Sequence, residues 1–154
     1  MRNSIIAILL VGVVFSISCK KDSKITDLVN FSASMKCKVD GTQWSSLTRV
    51  TTLGNPTTVN GTNGNSVLNV TILGNTTGTY TLNTNAGTFQ FSATYTNDSG
   101  TTDSLYTAYN GTATISSIDA TNKRISGTFS FQAKNTAMNQ KTVTEGTFKD
   151  LEYQ

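Results

Sequence analysis

Arg124-Ile125-Ser126-Gly127-Thr128-Phe129-Ser130-Phe131-Gln132-Ala133-Lys134 is the stretch that decides the fold class of this chain. Ile125, Gly127, Phe129, Phe131 and Ala133 alternate with polar residues along its whole length. That is the period of a strand with one face toward a core and the other toward water. Thr88 to Thr96 repeats the pattern, with Phe89, Phe91, Ala93 and Tyr95 set against Gln90, Ser92, Thr94 and Thr96. Ser66 to Leu73 places Leu68, Val70 and Ile72 on one side.

Working outward, Phe31 to Val39 is a strand that ends at Asp40-Gly41, a dipeptide suited to a tight hairpin, and Trp44 follows on the returning strand. Thr48 to Leu53 and Gly78 to Leu82 are further strands. Asn60 to Asn65, almost all Asn, Gly and Thr, has the composition of a loop, as does Asn97 to Thr102. Leu105 to Tyr109 is expected to turn at Asn110-Gly111 into Ala113 to Asp119, and Thr121-Asn122-Lys123 turns the chain again. The last strand, Thr142 to Tyr153, needs a bulge near Gly146 to keep Val143, Phe148, Leu151 and Tyr153 on one side. No helical stripe longer than two turns interrupts this series, so nothing supplies the crossover of a parallel sheet. The expected fold is all-β, an antiparallel β-sandwich of about eight to ten strands, with a small closed, lipocalin-like β-barrel as the alternative.

Composition agrees with that class. The chain has 154 residues, among them 28 Thr, 16 Ser, 15 Asn and 12 Gly, with 14% charged residues and one Pro. Thr and aromatic residues suit a pleated, half-buried surface, while Asn and Gly suit turns. A chain with so little charge and proline and with seven Phe and five Tyr is not a disordered one. There is no His, which removes the usual general base and the commonest transition-metal ligand.

The N-terminus carries an export signal. Arg2 supplies a positive start, Ile5 to Ile17 is an apolar run and Ser16-Ile17-Ser18-Cys19 follows. As a helix the run spans only about 20 Å, too short for a hydrocarbon core of ~30 Å, which reads as a cleaved leader rather than a membrane span. The junction resembles a bacterial lipobox, with Ser16 where Leu is usual. In that reading 1–18 is the lipoprotein signal peptide, Cys19 is acylated and becomes the first mature residue, 19–30 is a tether and 31–154 is a single β-domain. Lys20, Lys21 and Lys24 lie in the tether among Asp22 and Asp27, and no cluster of Lys or Arg forms a nucleic-acid footprint. With Cys19 acylated, Cys37 is left without a disulfide partner. It shares a strand face with Ala33, Met35 and Val39, a core thiol rather than a nucleophile, since a nucleophilic Cys leans on a base that this chain lacks.

The remaining chemistry is sparse. Asp40 and Asp119 are explained by turns, and Asp150 and Glu152 point outward. Glu145 is the least explained carboxylate, an outward residue at the expected bulge. Asn97 to Asp103 is oxygen-rich without the spacing of a calcium loop. Neither a metal nor a cofactor is expected. Asp103-Ser104-Leu105 resembles the three-residue O-glycosylation acceptor of Bacteroidota, with Ser104 as the acceptor. Trp44, Tyr80, Tyr106 and Tyr109 are the aromatics available to stack on a sugar, and of these Trp44, Tyr106 and Tyr109 are the ligand-binding candidates. Tyr106 and Tyr109 point to opposite faces of their strand, and core packing competes for Trp44.

Ser18-Cys19-Lys20-Lys21-Asp22, Val39-Asp40-Gly41-Thr42-Gln43-Trp44, Gly78-Thr79-Tyr80, Lys123 through Phe131 and Thr144-Glu145-Gly146-Thr147-Phe148 together resemble a family of small cell-envelope lipoproteins abundant in Bacteroidota. The resemblance implies location and architecture, a lipid-anchored β-domain of the cell envelope, at the outer membrane, and carries no catalytic residues. The expected function is thus a non-enzymatic binding or structural module, attached to a membrane through Cys19 and independent of nucleic acid, with its protein or glycan partner unspecified. The alternative is a carrier for a small apolar or glycan ligand.

Overall fold

The computed structural model describes residues 32–98 and 103–154. Residues 1–31, which hold the expected leader, Cys19 and the expected tether, and residues 99–102 lie outside the described residues. Eleven strands follow in order: β1 (Ser34–Val39), β2 (Thr42–Ser45), β3 (Thr48–Thr52), β4 (Thr57–Asn63), β5 (Ser66–Ile72), β6 (Gly78–Asn83), β7 (Thr88–Phe89), β8 (Phe91–Thr96), β9 (Leu105–Asp119), β10 (Arg124–Lys134) and β11 (Gln140–Glu152). All pair antiparallel in one sheet, ordered β2-β1-β11-β10-β9-β8-β5-β4-β3. β6 runs along β9 beyond the end of β8, and β7 pairs with β6.

The all-β, antiparallel expectation holds, and the strands form one curled sheet. Its two ends, β2 and β3, are successive in the chain. Ser46 N–H donates to Met35 O of β1 at 2.9 Å, and Leu47 N–H donates to Thr62 O of β4 at 2.7 Å. Hydrogen bonding is therefore handed from one end of the sheet to the other across a two-residue corner. Bulges supply the curvature. On β9, Tyr109 and Ser116 are each an extra residue against β10, because Ala108 and Asn110 face Ala133 and Gln132, while Ile115 and Ser117 face Gly127 and Ser126. On β11 the extra residues fall at Glu145 and Asp150, both at positive φ. The bulge expected near Gly146 is thus present, with a second one beyond it.

Inside the curl Leu68, Val70, Ile72, Phe91, Ile115, Ile125, Phe129, Phe131 and Phe148 belong to one buried cluster, joined by Met35 and Cys37 of β1. Close approach of β9, β10 and β11 is made by glycine. Gly127 faces Phe148 and Phe129 faces Gly146, so the two Gly-Thr-Phe tripeptides interlock head to tail. Gly111 faces Phe131 in the same way. A methyl group on Gly127 would strike the Thr114 carbonyl and the Phe148 ring, and one on Gly146 the carbonyl and ring of Phe129.

Three local expectations are corrected. Asn60 to Asn63 is strand, not loop, because β3 and β5 pair with β4 through this segment. Gly61 belongs there because a side chain would meet Met35 Sδ at 2.7 Å and the Trp44 ring at 3.1 Å. Asn110-Gly111 is not a turn, since β10 pairs along β9 on both sides of it and Gly111 makes room for Phe131. Phe89 is 57% exposed instead of buried. The strand breaks at Gln90, whose N–H goes to Thr81 O while its carbonyl takes Leu73 N–H, so Phe91, Ala93 and Tyr95 alone turn inward.

The interlock makes a quantitative expectation. Gly146→Ala places a methyl against a backbone carbonyl and an aromatic ring that have no open side to move toward, and destabilises the domain by about 1–3 kcal/mol or more. Thr128→Ala, on the exposed face between the two pairs, changes stability by less than about 0.5 kcal/mol. Urea denaturation followed by Trp44 fluorescence measures both, and an unchanged midpoint for Gly146→Ala would refute the interlock.

Candidate functional site

β9 positions the most promising side chains: Tyr109 takes the outward place that follows Tyr106 and Ala108, at a bulge beyond which the inward parity changes. Tyr106 and Ala108 face inward, Tyr109 does not, and Ala113 and Ile115 resume the inward face on the opposite parity. The Tyr109 hydroxyl donates to Gln140 Oε1 at 3.4 Å, and Lys134 Nζ stands 5.6 Å from the centre of its ring. Leu105, 51% exposed, extends the apolar strip along the same strand. A cleft of about 430 Å³ lies over these residues, lined also by Thr84, Thr107 and Thr136. Its chemistry is a flat aromatic face, an aliphatic side chain, a cation and several hydroxyls, which together match the mixed apolar and polar surface of a sugar.

The neighbouring end of the curl is closed by polar bonds. Asp40, at φ 49°, and Gly41, at φ 80°, form the β1–β2 turn. The Asp40 carboxylate takes Lys141 Nζ at 2.7 Å and Thr142 N–H at 2.8 Å. Lys141 Nζ lies 5.7 Å from the Tyr106 ring centre, and the Tyr106 and Tyr95 centroids are 6.5 Å apart. Partial desolvation raises Asp40, but the hydrogen bonds from Lys141 and Thr142 and the Lys141 charge outweigh it and hold the carboxyl below its ordinary value. The hydrogen bond to Asp40 lifts Lys141, against some desolvation. Burial raises Tyr95.

The sequence-derived candidates separate in this structure. Trp44 is 6% exposed, and its Nε1–H donates to Ser66 Oγ at 2.8 Å, so it packs in the core and offers no stacking face. Tyr106, 7% exposed, also belongs to the interior. Tyr109 is the one of the three at the surface. Ser104 is 5% exposed, which leaves no face for a glycan in the folded domain. Cys19 lies outside the described residues. Cys37 is a buried free thiol, and burial pushes its pKa up to about 12, the environment of a core residue rather than a nucleophile.

The carboxylates are bound into the architecture. Glu145 pairs with Lys38 at 2.8 Å and Glu152 with Arg124 at 3.4 Å. Asp119 caps the β9–β10 turn through Asn122 and Thr121, and these bonds, the side-chain bond from Asn122 foremost, lower its pKa. Asp103 takes the Thr136 hydroxyl at 2.9 Å, and its carbonyl takes Asn135 Nδ2 at the same distance. Sequence reasoning missed Lys134, Gln140 and Lys141. Their only signal was a position at the end of β10 and the start of β11, opposite the aromatic residues of β9, which becomes visible once the register is known.

Two comparisons with known proteins gave no match: no curated protein and no solved structure matches the chain. A family model does. The model described as a domain of unknown function, DUF6252, matches residues 31–152, almost the whole β-domain.

The Asp40–Lys141 pair makes stability depend on pH in a set direction. The lowered Asp40 contributes stability that is present above its unfolded value of ~3.9 and is lost as pH falls through its folded value. The raised Lys141 contributes stability that is present below its unfolded value of ~10.4 and is lost as pH rises through its folded value. Asn at position 40 keeps the left-handed turn but not the charge. The Tm difference between the wild type and Asp40→Asn is therefore largest between about pH 5 and 9 and shrinks on acidification below about pH 4. Thermal melts across pH decide this, and a difference independent of pH would rule the pair out.

Proposed function

The chain belongs to the DUF6252 family, and from that premise we propose that it is a non-enzymatic binding module of the cell envelope, held at the outer membrane by a lipid on Cys19, that takes a glycan on its outer surface. The observation that carries the reading is the cleft over Tyr109, Lys134 and Leu105. A bulged strand there presents an aromatic ring at the surface, whereas Trp44, Phe91, Tyr95, Tyr106, Phe129, Phe131 and Phe148 are buried.

Three facts support a binding role over a catalytic one. The sequence has no His. Its thiol in the described domain is buried with a raised pKa. Asp40, Glu145 and Glu152 are each tied to a cation of a neighbouring strand, whereas acid–base hydrolysis needs two carboxyl groups facing one bond at ~5 to 9.5 Å. A carrier with an interior cavity is less well supported, because the faces of β8 and β10 that would line one meet in the aromatic and aliphatic cluster of the core. The lipid reading rests on the leader and the Ser18-Cys19 junction. Several acyl chains at ~0.8 kcal/mol per buried methylene would hold the chain on a bilayer.

Two measurements test the parts separately. Cys19→Ala is expected to move the protein from the membrane to the soluble fraction of its native host, and unchanged fractionation would end the anchor reading. Tyr109→Ala is expected to weaken glycan binding about tenfold, consistent with ~1–2 kcal/mol for a lost stacking contact, without changing the melting temperature by more than a few degrees. A glycan array with the wild type and this variant reads the effect, and equal binding by both would exclude the cleft.

A further inference from the structure

A second groove lies on the outer face where β9, β10, β11 and β1 run side by side. It has a volume of about 340 Å³ and is lined by Ser34, Lys36, Ser126, Gly127, Thr147 and Lys149 among others. The register explains why these residues meet. Ser34 pairs with Lys149 and Lys36 with Thr147, so the two lysines, remote in sequence, are diagonal neighbours across the β1–β11 ladder. The β9 bulge at Ser116 and the β11 bulge at Asp150 flank the same patch.

The charges here are arranged unlike those elsewhere on the domain. Lys38, Arg124 and Lys141 each have an acidic partner within 4 Å, on an adjacent strand for the first two and in the β1–β2 turn for Lys141. Lys36 and Lys149 have no ion-pair partner among the described residues. Both side chains are exposed. Two acids of β11 are already engaged, Glu145 by Lys38 at 2.8 Å and the Asp150 carboxylate by the Ser126 hydroxyl at 3.4 Å. In the same lining the Thr147 hydroxyl is shielded from solvent and has no hydrogen-bond partner, an arrangement that is unfavourable unless something supplies the missing bond. Ser34 adds a hydroxyl that makes no bond among the described residues.

We propose that this groove binds a phosphate group, with Lys36 and Lys149 as the paired cations and the Ser34 and Thr147 hydroxyls as neutral donors. Two compact ammonium groups with hydroxyls between them suit a tetrahedral anion that accepts hydrogen bonds from several directions, whereas a planar carboxylate is better matched by the fork of an arginine. The phosphate has two possible sources, a lipid headgroup or a phosphorylated molecule in solution. The headgroup source rests on the membrane anchoring proposed above. Ser34 stands fifteen positions after Cys19, within ~50 Å of extended chain, so a headgroup is within reach of a domain held by a lipid at that residue.

The test uses the full chain with Cys19→Ala, so that no acyl chain contributes, and compares it with the same protein carrying Lys36→Gln and Lys149→Gln. In one arm inorganic phosphate is titrated while the amide resonances of Lys36, Gly127, Thr147 and Lys149 are followed by NMR. In the other the protein is sedimented with phosphatidylcholine vesicles with and without phosphatidylglycerol. The expected result is saturable shifts confined to the groove, or preferential sedimentation with the anionic vesicles, reduced at least tenfold by the double substitution and weakened by added salt. Response in the vesicle arm alone identifies a headgroup, and response to inorganic phosphate identifies a soluble ligand. No response in either arm, or one that survives the double substitution, overturns the proposal. Because the first arm contains no membrane, it can succeed where the anchor reading fails, and the two failures stay distinct.

Discussion

The reciprocal pairing of Gly127 with Phe148 and of Gly146 with Phe129 is the constraint on which the remaining structure rests. Each phenyl ring lies over the residue that lacks a side chain on the facing strand, so both rings enter the core without forcing β10 and β11 apart. The third pair, Gly111 with Phe131, extends the same solution to β9. A ring over a glycine recovers packing contacts that the glycine alone would leave unmade. It also fixes register, because sliding either strand by one residue would set each ring and each glycine against an outward residue of the facing strand, undo both pairs and turn the inward face outward. With the central three strands locked, β1 can dock on β11 and the remaining strands on β9, and the curl can complete itself at Ser46-Leu47.

The sequence disclosed the alternating strands and concealed what depends on pairing. Arg124 to Lys134 was legible because its inward and outward residues differ in kind at every step, and the structure reproduces those bounds. The Gly-Thr-Phe tripeptides were visible as a recurring phrase, yet their unequal spacing hid that two of them interlock, since antiparallel pairing relates residues by a constant sum of positions and not by a period. Asn60 to Asn63 and Asn110-Gly111 carried turn composition for another reason. Gly61 and Gly111 are there to let Met35, Trp44 and Phe131 approach the backbone, and a glycine chosen for space reads like one chosen for φ. Phe89 failed because alternation continues through Gln90 while the partner strand changes. Tyr109 was legible as the outward member of its strand, but its lysine and glutamine neighbours come from β10 and β11 and were not.

The sparse charges repeat the same logic at the surface. Most of the outer face is Thr, Ser and Asn, and cross-strand pairs such as Thr52 with Thr58 and Thr79 with Thr114 bond through their hydroxyls at 2.6 and 3.0 Å. Such pairs add a few tenths of a kcal/mol each and tolerate solvent. Against this neutral background each ion pair joins neighbouring strands: Lys38 to Glu145 across β1 and β11, Arg124 to Glu152 across β10 and β11, and Lys141 of β11 to the Asp40 turn. Exposed pairs of this kind contribute little to stability. Their value lies in agreeing with the register that the glycine–phenylalanine pairs have already set, so that local and long-range preferences point to one structure.

The same devices that close the core also open the surface. An antiparallel sheet must curl to bury one face, and here it curls through bulges that insert residues with no partner opposite. Each inserted residue has to leave the ladder, so bulges are where side chains and hollows reach the outside of an otherwise even surface. The Tyr109 bulge lies in one cleft, and the Ser116 and Asp150 bulges border the groove that Lys36 and Lys149 flank. A filled interior and two outer hollows are therefore one geometric outcome. With Phe91, Phe129, Phe131 and Phe148 occupying the inside of the curl, these hollows are left to the face where the backbone itself departs from regular pairing.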